Sequence, residues 1–253
     1  MKQSMRKKFA IIVGSGFDGF VGAEDGVLAS TPFGEPSSPI RDLTIGDDVL
    51  RVLSRHGDSH AIPPHLINYR ANLVALKNLD VGAVIALNTV GVISAVRRPG
   101  ELAVPDQIID YTWGREHSIQ GAADSGVLHV DFTEPFTRVL RDRLLSAAAA
   151  AGIDCHDGGV CAVMQGPRLE TAAEIDRLER DGADFIGMTG MPEASIALEL
   201  GLDYACLALI VNNAAGRGQK SIHEDVETST LSARKQAIDL LQQFFAYGDN
   251  SNR

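Results

Sequence analysis

The sequence predicts an α/β fold, a three-layer α/β/α sandwich around a central mixed, twisted sheet. Two observations in the chain point there. Short apolar runs alternate with longer amphipathic segments along most of its length, the pattern of strands followed by covering helices. Several of the apolar runs end in polar loops that lead straight into a helical pattern, as strand ends do at the rim of such a sheet. At 253 residues the chain suits one large α/β unit, and no linker-like stretch divides it, so residues 1–253 are expected to form a single domain.

Taken in order, residues 9–13 read as a buried strand and 49–54 as a second, with 39–47 a short local loop between them. Residues 66–79 read as a helix with Leu66, Tyr69, Leu73 and Leu76 on one stripe. Residues 83–87 form a short buried strand, closed by Asn88, Thr89, Val90 and Gly91. The stretch 94–126 is rich in turn residues and is expected to be irregular and partly extended. Residues 136–151 are helical, with Phe136, Leu140, Leu144 and Ala147 facing inward and Gly152 just beyond the end. Residues 160–164 are a strand and 171–181 a helix, in which Thr171 and Glu174 have capping-box spacing. Residues 184–188 are a strand. Residues 192–200 are a helix with Pro192 in its first turn, 204–211 another strand, and 229–247 a terminal helix with Leu231, Ile238, Leu241 and Phe245 on one face.

Composition removes several function classes. The formal charge is 23 − 33 = −10, a poor match for the basic footprint that nucleic-acid phosphates require. No run approaches the roughly 20 apolar residues of a membrane helix, and 9–13 is far too short for a signal-peptide core. Three cysteines (Cys155, Cys161, Cys206) lack metal-ligand spacing. They read as buried thiols of a reducing compartment, so a cytoplasmic location and no metal are expected.

Gly14-Ser15-Gly16-Phe17-Asp18-Gly19 matches a dinucleotide-binding fingerprint, but that motif works only when a helix follows. Gly22, Gly26, Pro32, Gly34, Pro36 and Pro39 follow instead, which no long helix tolerates. The turn reads better as backbone amides and the Ser15 hydroxyl around a single phosphate, or as a purely structural turn. Arg55 and His56 end the second strand. Arg offers a planar fork suited to phosphate, and His56 a further donor; a solvated Arg beside a structural His is the alternative. Asn88 and Thr89 offer neutral donors where an ordinary turn would also fit. Thr189, at the end of 184–188, suits either the anion or an N-cap.

Glu170 and Asn212 are a pair of another kind. A carboxylate accepts, whereas an amide donates and accepts. Together they could read N1–H and the O6/N7 edge of a 6-oxopurine. A helix-start acid and a capped turn are the structural alternatives.

At these residues the chain resembles the trimeric purine nucleoside phosphorylase superfamily, specifically its methylthionucleoside branch. The resemblance runs from Gly14-Ser15-Gly16 through Arg55-His56-Gly57, Asn68-Tyr69-Arg70-Ala71-Asn72 and Ile109-Asp110-Tyr111. It continues through 165–171 and 187–193. It implies that Ser15, Arg55, His56, Asn88 and Thr189 bind phosphate, and that Thr89, Val90 and Gly91 line the floor under base and ribose. Leu169 would cover the base and Met188 would meet the ribose hydroxyls. His129 would reach the 5′ end of the substrate in a neighbouring subunit of a homotrimer. Relatives that use adenine carry Ser where this chain has Glu170, and Asp where it has Asn212 and Ala214. The Glu and Asn pattern therefore implies phosphorolysis of S-methyl-5′-thioinosine to hypoxanthine and 5-methylthio-α-ribose 1-phosphate, with Asn212 and Glu170 as the catalytic pair. The alternatives are a 6-oxopurine nucleoside (inosine or guanosine) or methylthioadenosine as substrate. Inorganic phosphate would be a co-substrate and no cofactor is implied. The segment 218–226, with Ile222 and His223, is expected near the 5′ group.

Overall fold

The computed structural model describes residues 7–17, 26–95, 97–121, 126–219 and 221–246. At the centre of the sheet, β1 (Lys8–Val13) lies between β3 (Asp48–Ser54) and β4 (Val81–Val92), parallel to both. On the other side of β4 runs β10 (Asp203–Asn213), also parallel. One edge is β2 (Arg41–Ile45), antiparallel to β3; at the other, β5 (Leu102–Val104) pairs antiparallel with β10 and parallel with β7 (Cys155–Asp157). A branch leaves the far end of β4. There β9 (Phe185–Gly187) pairs antiparallel with Gly91 and Val92, β8 (Val160–Val163) lies parallel to β9, and β6 (Gln107–Asp110) parallel to β8.

The middle strands are apolar almost throughout because helices cover both faces. Along β4, Val84 and Ala86 point into one core with Leu73 and Leu76 of α1 (Tyr69–Asn78) and Ala194 and Ile196 of α4 (Gly190–Glu199). The alternating residues Ala83, Ile85 and Leu87 point to the opposite core, under Leu140 and Leu144 of α2 (Arg138–Ala150) and Leu240 and Leu241 of α5 (Ile222–Ala246). These are the three layers. Over the branch, α3 (Ala172–Arg180) packs Ile175 and Leu178 against Ala162 and Ile186.

The capping box stands as expected: Glu174 N–H donates to Thr171 Oγ1 at 3.1 Å, and Thr171 N–H donates to Glu174 Oε2 at 2.7 Å. Arg168 adds an ion pair to the same carboxylate. Arg168 and the Thr171 bonds hold that carboxyl down at about 2.

Several expectations change. The segment 39–47 is not a loop: β2 occupies most of it and folds back on β3 through Gly46 (φ 60°) and Asp47. Asn88, Thr89, Val90 and Gly91 do not close a strand; β4 runs through them because β10 pairs alongside as far as Val92. The irregular stretch holds β5 and β6, too short to carry a period of their own. The helix expected from residue 66 begins at Tyr69 after a 3-10 turn (Pro64–Leu66), and Leu66 is 65 % exposed rather than on the inner stripe. In α4, Met191 and Pro192 keep non-helical angles, so Pro192 precedes the regular turns. The terminal helix starts at Ile222, and Leu231 points outward, 73 % exposed; Leu241 and Phe245 are buried as expected, and Ala233, Ala237, Leu240 and Phe244 complete the inner face. The expected absence of a long helix covers the twenty residues after Gly19; residues 20–25 lie outside the described residues, and 26–39 carry no helix.

Candidate active site

The strand ends of β1, β3 and β10, the second half of β4 and the loops after β8 and β9 surround one cavity of about 510 Å³. The parallel strands bring three of these there by topology. The antiparallel β9 arrives differently. Because it joins only the last residues of β4, its own end points back along that strand and sets Met188 and Thr189 beside Thr89 and Val90.

Of the residues expected to bind phosphate, Ser15, Arg55, His56 and Thr189 line this cavity. Thr189 stands at the N-cap position of α4 but makes no side-chain cap bond, so the capping alternative fails. Ser15 Oγ lies 3.3 Å from Nε2 of His60, whose ring packs on that of His56 with centroids 4.6 Å apart. The His56 Nδ1–H donates to Ile62 O at 2.8 Å, since a carbonyl can only accept. Donation from His56 Nε2 to an anion therefore requires the doubly protonated ring.

Arg55 is completely buried. Its Nε and Nη2 donate to the two carboxylate oxygens of Glu193 at 2.7 and 2.8 Å, and Nη2 also donates to Asn88 Oδ1 at 2.8 Å. Glu193, equally buried, accepts a third bond from the Tyr204 hydroxyl at 2.8 Å. Burial works against the Arg55 charge, and the Glu193 carboxylate more than offsets it, holding the guanidinium above its ordinary value. Gly14 brings β1 tight against this group: a Cβ there would sit 2.8 Å from Arg55 Nη1. Nη1 also donates to Leu87 O at 3.3 Å, so most of the fork expected for phosphate is committed to the protein, with Nη1 the part nearest the Gly14 turn.

Asn88 departs from expectation. It faces away from the main cavity toward a small void behind it, lined with Cys161, Cys206 and Thr189, and its carbonyl oxygen serves Arg55. Of the two neighbours in β4, Thr89 lines the main cavity and Asn88 does not.

Thr89, Val90, Gly91, Leu169, Met188, Glu170 and Asn212 all line the main cavity. Opposite Gly91, β10 carries one extra residue, Val211, in a bulge, a device that re-aims a neighbouring side chain. Asn212 Nδ2 donates to Asn213 O at 2.7 Å. Gly91 gives it room, since a Cβ at that position would lie 2.8 Å from Asn212 Nδ2. Behind it, Asn213 is fixed through its backbone N–H and side-chain amide to the buried Asp225 of α5, at 3.1 and 2.9 Å. Glu170 is half-buried, and burial raises its carboxyl above the ordinary value. Ile222, His223, Val226 and Thr230 of α5 form the far wall. Thr230 Oγ1 donates to Val226 O at 2.6 Å, and its methyl is turned toward Gly16. His129 is exposed and does not line the cavity of its own chain.

The phosphorylase superfamily profile matches residues 8–246. The chain belongs to the phosphorylase superfamily. It is 53% identical over 188 residues to a probable S-methyl-5′-thioinosine phosphorylase of Xylella fastidiosa (74% of this chain, 76% of the relative). It is 41% identical to the 6-oxopurine nucleoside phosphorylase of Pyrococcus furiosus (87% and 84%). A solved methylthioadenosine phosphorylase from Schistosoma mansoni, in complex with tubercidin, superposes with a TM-score of 0.88 at 33% identity, covering 95% of this chain and 91% of that one. Fold class and enzyme class are therefore shared with this superfamily: a three-layer α/β/α protein and a pentosyl-transferring nucleoside phosphorylase.

Sequence reasoning missed Glu193, Tyr204 and Asp225. Glu193 reads as an ordinary first-turn acid, and only the pairing of a strand-end Arg with a helix-start Glu on the same face hints at its partner. Removing Glu193 leaves a buried guanidinium uncompensated, at a cost of about 3–5 kcal/mol. We expect Glu193→Ala to lower the thermal midpoint by roughly 6–20 °C for a chain of this size; a melt within about 2 °C of the parent would show that the pair does not hold the fold.

Proposed function

We propose that this chain phosphorolyses S-methyl-5′-thioinosine, releasing hypoxanthine and 5-methylthio-α-ribose 1-phosphate. The observation that carries this reading is the placement of Glu170 and Asn212 on one cavity wall, with Ala214 beside them. A carboxylate accepts the N1–H that hypoxanthine has and adenine lacks, and an amide serves O6 and N7. Aspartate at 212 or 214 would favour an exocyclic amine instead. The names of the Xylella and Pyrococcus relatives support the same base class.

In the proposed step the glycosidic bond loosens with oxocarbenium character and phosphate captures C1′ from the opposite face, inverting it. Ser15, Thr189, His56 and the inner edge of Arg55 hold the phosphate against the developing cation, an interaction worth most where water is excluded. The electron pair leaving C1′ passes to the purine, where Asn212 donates to N7 as charge builds and Glu170 holds N1–H. Leu169 covers the base, over a floor of Thr89, Val90 and Gly91, and Met188 meets the ribose. No cofactor enters the step; inorganic phosphate is the co-substrate.

Ile222, Val226 and the Thr230 methyl give the far wall an apolar surface, which favours a methylthio group over a hydroxyl. His223 in the same wall favours the second reading, a 6-oxopurine nucleoside phosphorylase that hydrogen-bonds a 5′-hydroxyl. We assign His129 to the 5′ end of a neighbouring subunit's substrate in a homotrimer; the exposed Leu128 beside it, with Leu66 and Trp113, supplies apolar surface for such contacts. We place the enzyme in the cytoplasm, in keeping with its three free cysteines.

Base release from methylthioinosine, inosine, methylthioadenosine and adenosine, with and without phosphate, tests the assignment. We expect phosphate-dependent turnover highest with methylthioinosine; preference for methylthioadenosine would overturn the base reading. Asn212→Ala should lower kcat/KM about 10²-fold, the loss for one preorganised transition-state donor, and unchanged turnover would remove Asn212 from the mechanism. Protonated Glu170 offers N1–H only a neutral carbonyl oxygen in place of the stronger carboxylate acceptor, so kcat/KM should fall as pH drops through a carboxyl pKa above the ordinary glutamate value. Glu170→Gln should lack this acid limb, and superimposable limbs in parent and variant would assign the titration elsewhere.

A further inference from the structure

The loops after β8 and β9 carry Leu169, Glu170, Met188 and Thr189, yet the backbone ladder joining their strands stops short of them. Its last bond is Met164 N–H to Gly187 O at 2.8 Å. Beyond that point one side chain takes over. Arg115, half-buried in the irregular segment after β6, donates from Nη2 to Met164 O and Gln165 O at 3.2 and 2.8 Å. From Nη1 it donates to Met188 O and Met191 O at 2.9 and 2.6 Å. Its Nε donates to Gln165 Oε1 at 3.1 Å, and Nη1 also reaches the Tyr69 hydroxyl at 3.2 Å. A guanidinium has five N–H donors in one plane, and here they are divided between two site loops.

We propose that Arg115 is a positioning residue that sets the spacing between the base-reading loop and the ribose- and phosphate-binding loop. This rests on the function proposed above. Both loops hold parts of one transition state, the leaving purine and the phosphate-facing ribose, so their separation fixes the reacting distance. A displacement of about 1 Å between such parts costs on the order of 10²-fold in rate. A lysine at 115 would keep the charge but present a single ammonium where the fork spans both loops.

The test compares Arg115→Lys with the parent by hydrogen exchange, melting and kinetics. In Arg115→Lys, amides of 164–170 and 188–191 should exchange faster while β1 and β4 stay unchanged, and the melting temperature should stay within a few degrees. The kcat for base release should fall about 10²-fold, with KM for the nucleoside within a few-fold of the parent. Gln165→Met, which removes the acceptor of Arg115 Nε and of the Trp113 N–H but leaves the Arg115 bonds to both loops' carbonyls, should lose less, and it serves the same comparison if Arg115→Lys does not fold. Unchanged exchange in both loops, or a well-folded Arg115→Lys with kcat within twofold of the parent, overturns the proposal. The exchange readout needs no substrate. A parent enzyme inactive on methylthioinosine would therefore sink the functional reading alone, and kcat would then be compared on whichever nucleoside of the panel is cleaved.

Discussion

The ion pair between Arg55 and Glu193 is the constraint around which the phosphate side of the cavity is built. Both groups are fully excluded from water, where an unpaired charge costs several kcal/mol. The pair survives because nearly every hydrogen-bonding position is filled: two guanidinium–carboxylate bonds, the Asn88 carbonyl and the Tyr204 hydroxyl. It joins four elements at once, the end of β3, the middle of β4, the start of α4 and β10. What remains of the positive field opens toward the Gly14 turn, which has no side chain to block it. Cation and cradle are thus fixed before any anion arrives, the condition under which electrostatic stabilisation costs no reorganisation.

The length of β4 does the corresponding work on the base side. Its first half lies between β1 and β10, its second half stays paired with β10, and its last two residues take on β9 as well, so one twelve-residue strand links the parallel sheet to the branch. The bulge in β10 and the bare Cα of Gly91 belong together: one turns the Asn212 amide, the other gives it space.

Much of this was legible in the chain, and the failures have physical causes. Thr171 and Glu174 could be read as a helix start because both partners of the box are local. Ser15, Arg55 and Thr189 stood out as polar residues closing apolar runs. The short strands β5 and β7 could not be read, since three residues paired to distant segments carry no periodicity. Asn88 was misplaced because a polar residue after an apolar run looks like a strand end, whereas pairing with β10 continues the strand through it. Leu66 and Leu231 were assigned inward as the first residues of apolar stripes, but Leu66 lies in the 3-10 turn before α1 and Leu231 on the outer face of α5, and exposed leucines are common. Glu193 and Arg115 look like ordinary surface charges; only the folded chain shows each facing partners more than 45 residues away.

The far wall of the cavity belongs to a different element from the base readers. Glu170 stands on the loop after β8 and Asn212 near the end of β10, while Ile222, Val226 and Thr230 stand on the first turns of α5. The Asn213–Asp225 bonds tie the two together at this point. Recognition of the purine and recognition of the sugar's tail are therefore modular. A descendant of this chain could exchange thioether for alcohol by rewriting the first turns of α5, provided Asp225 stays in place, and leave its choice of nucleobase intact.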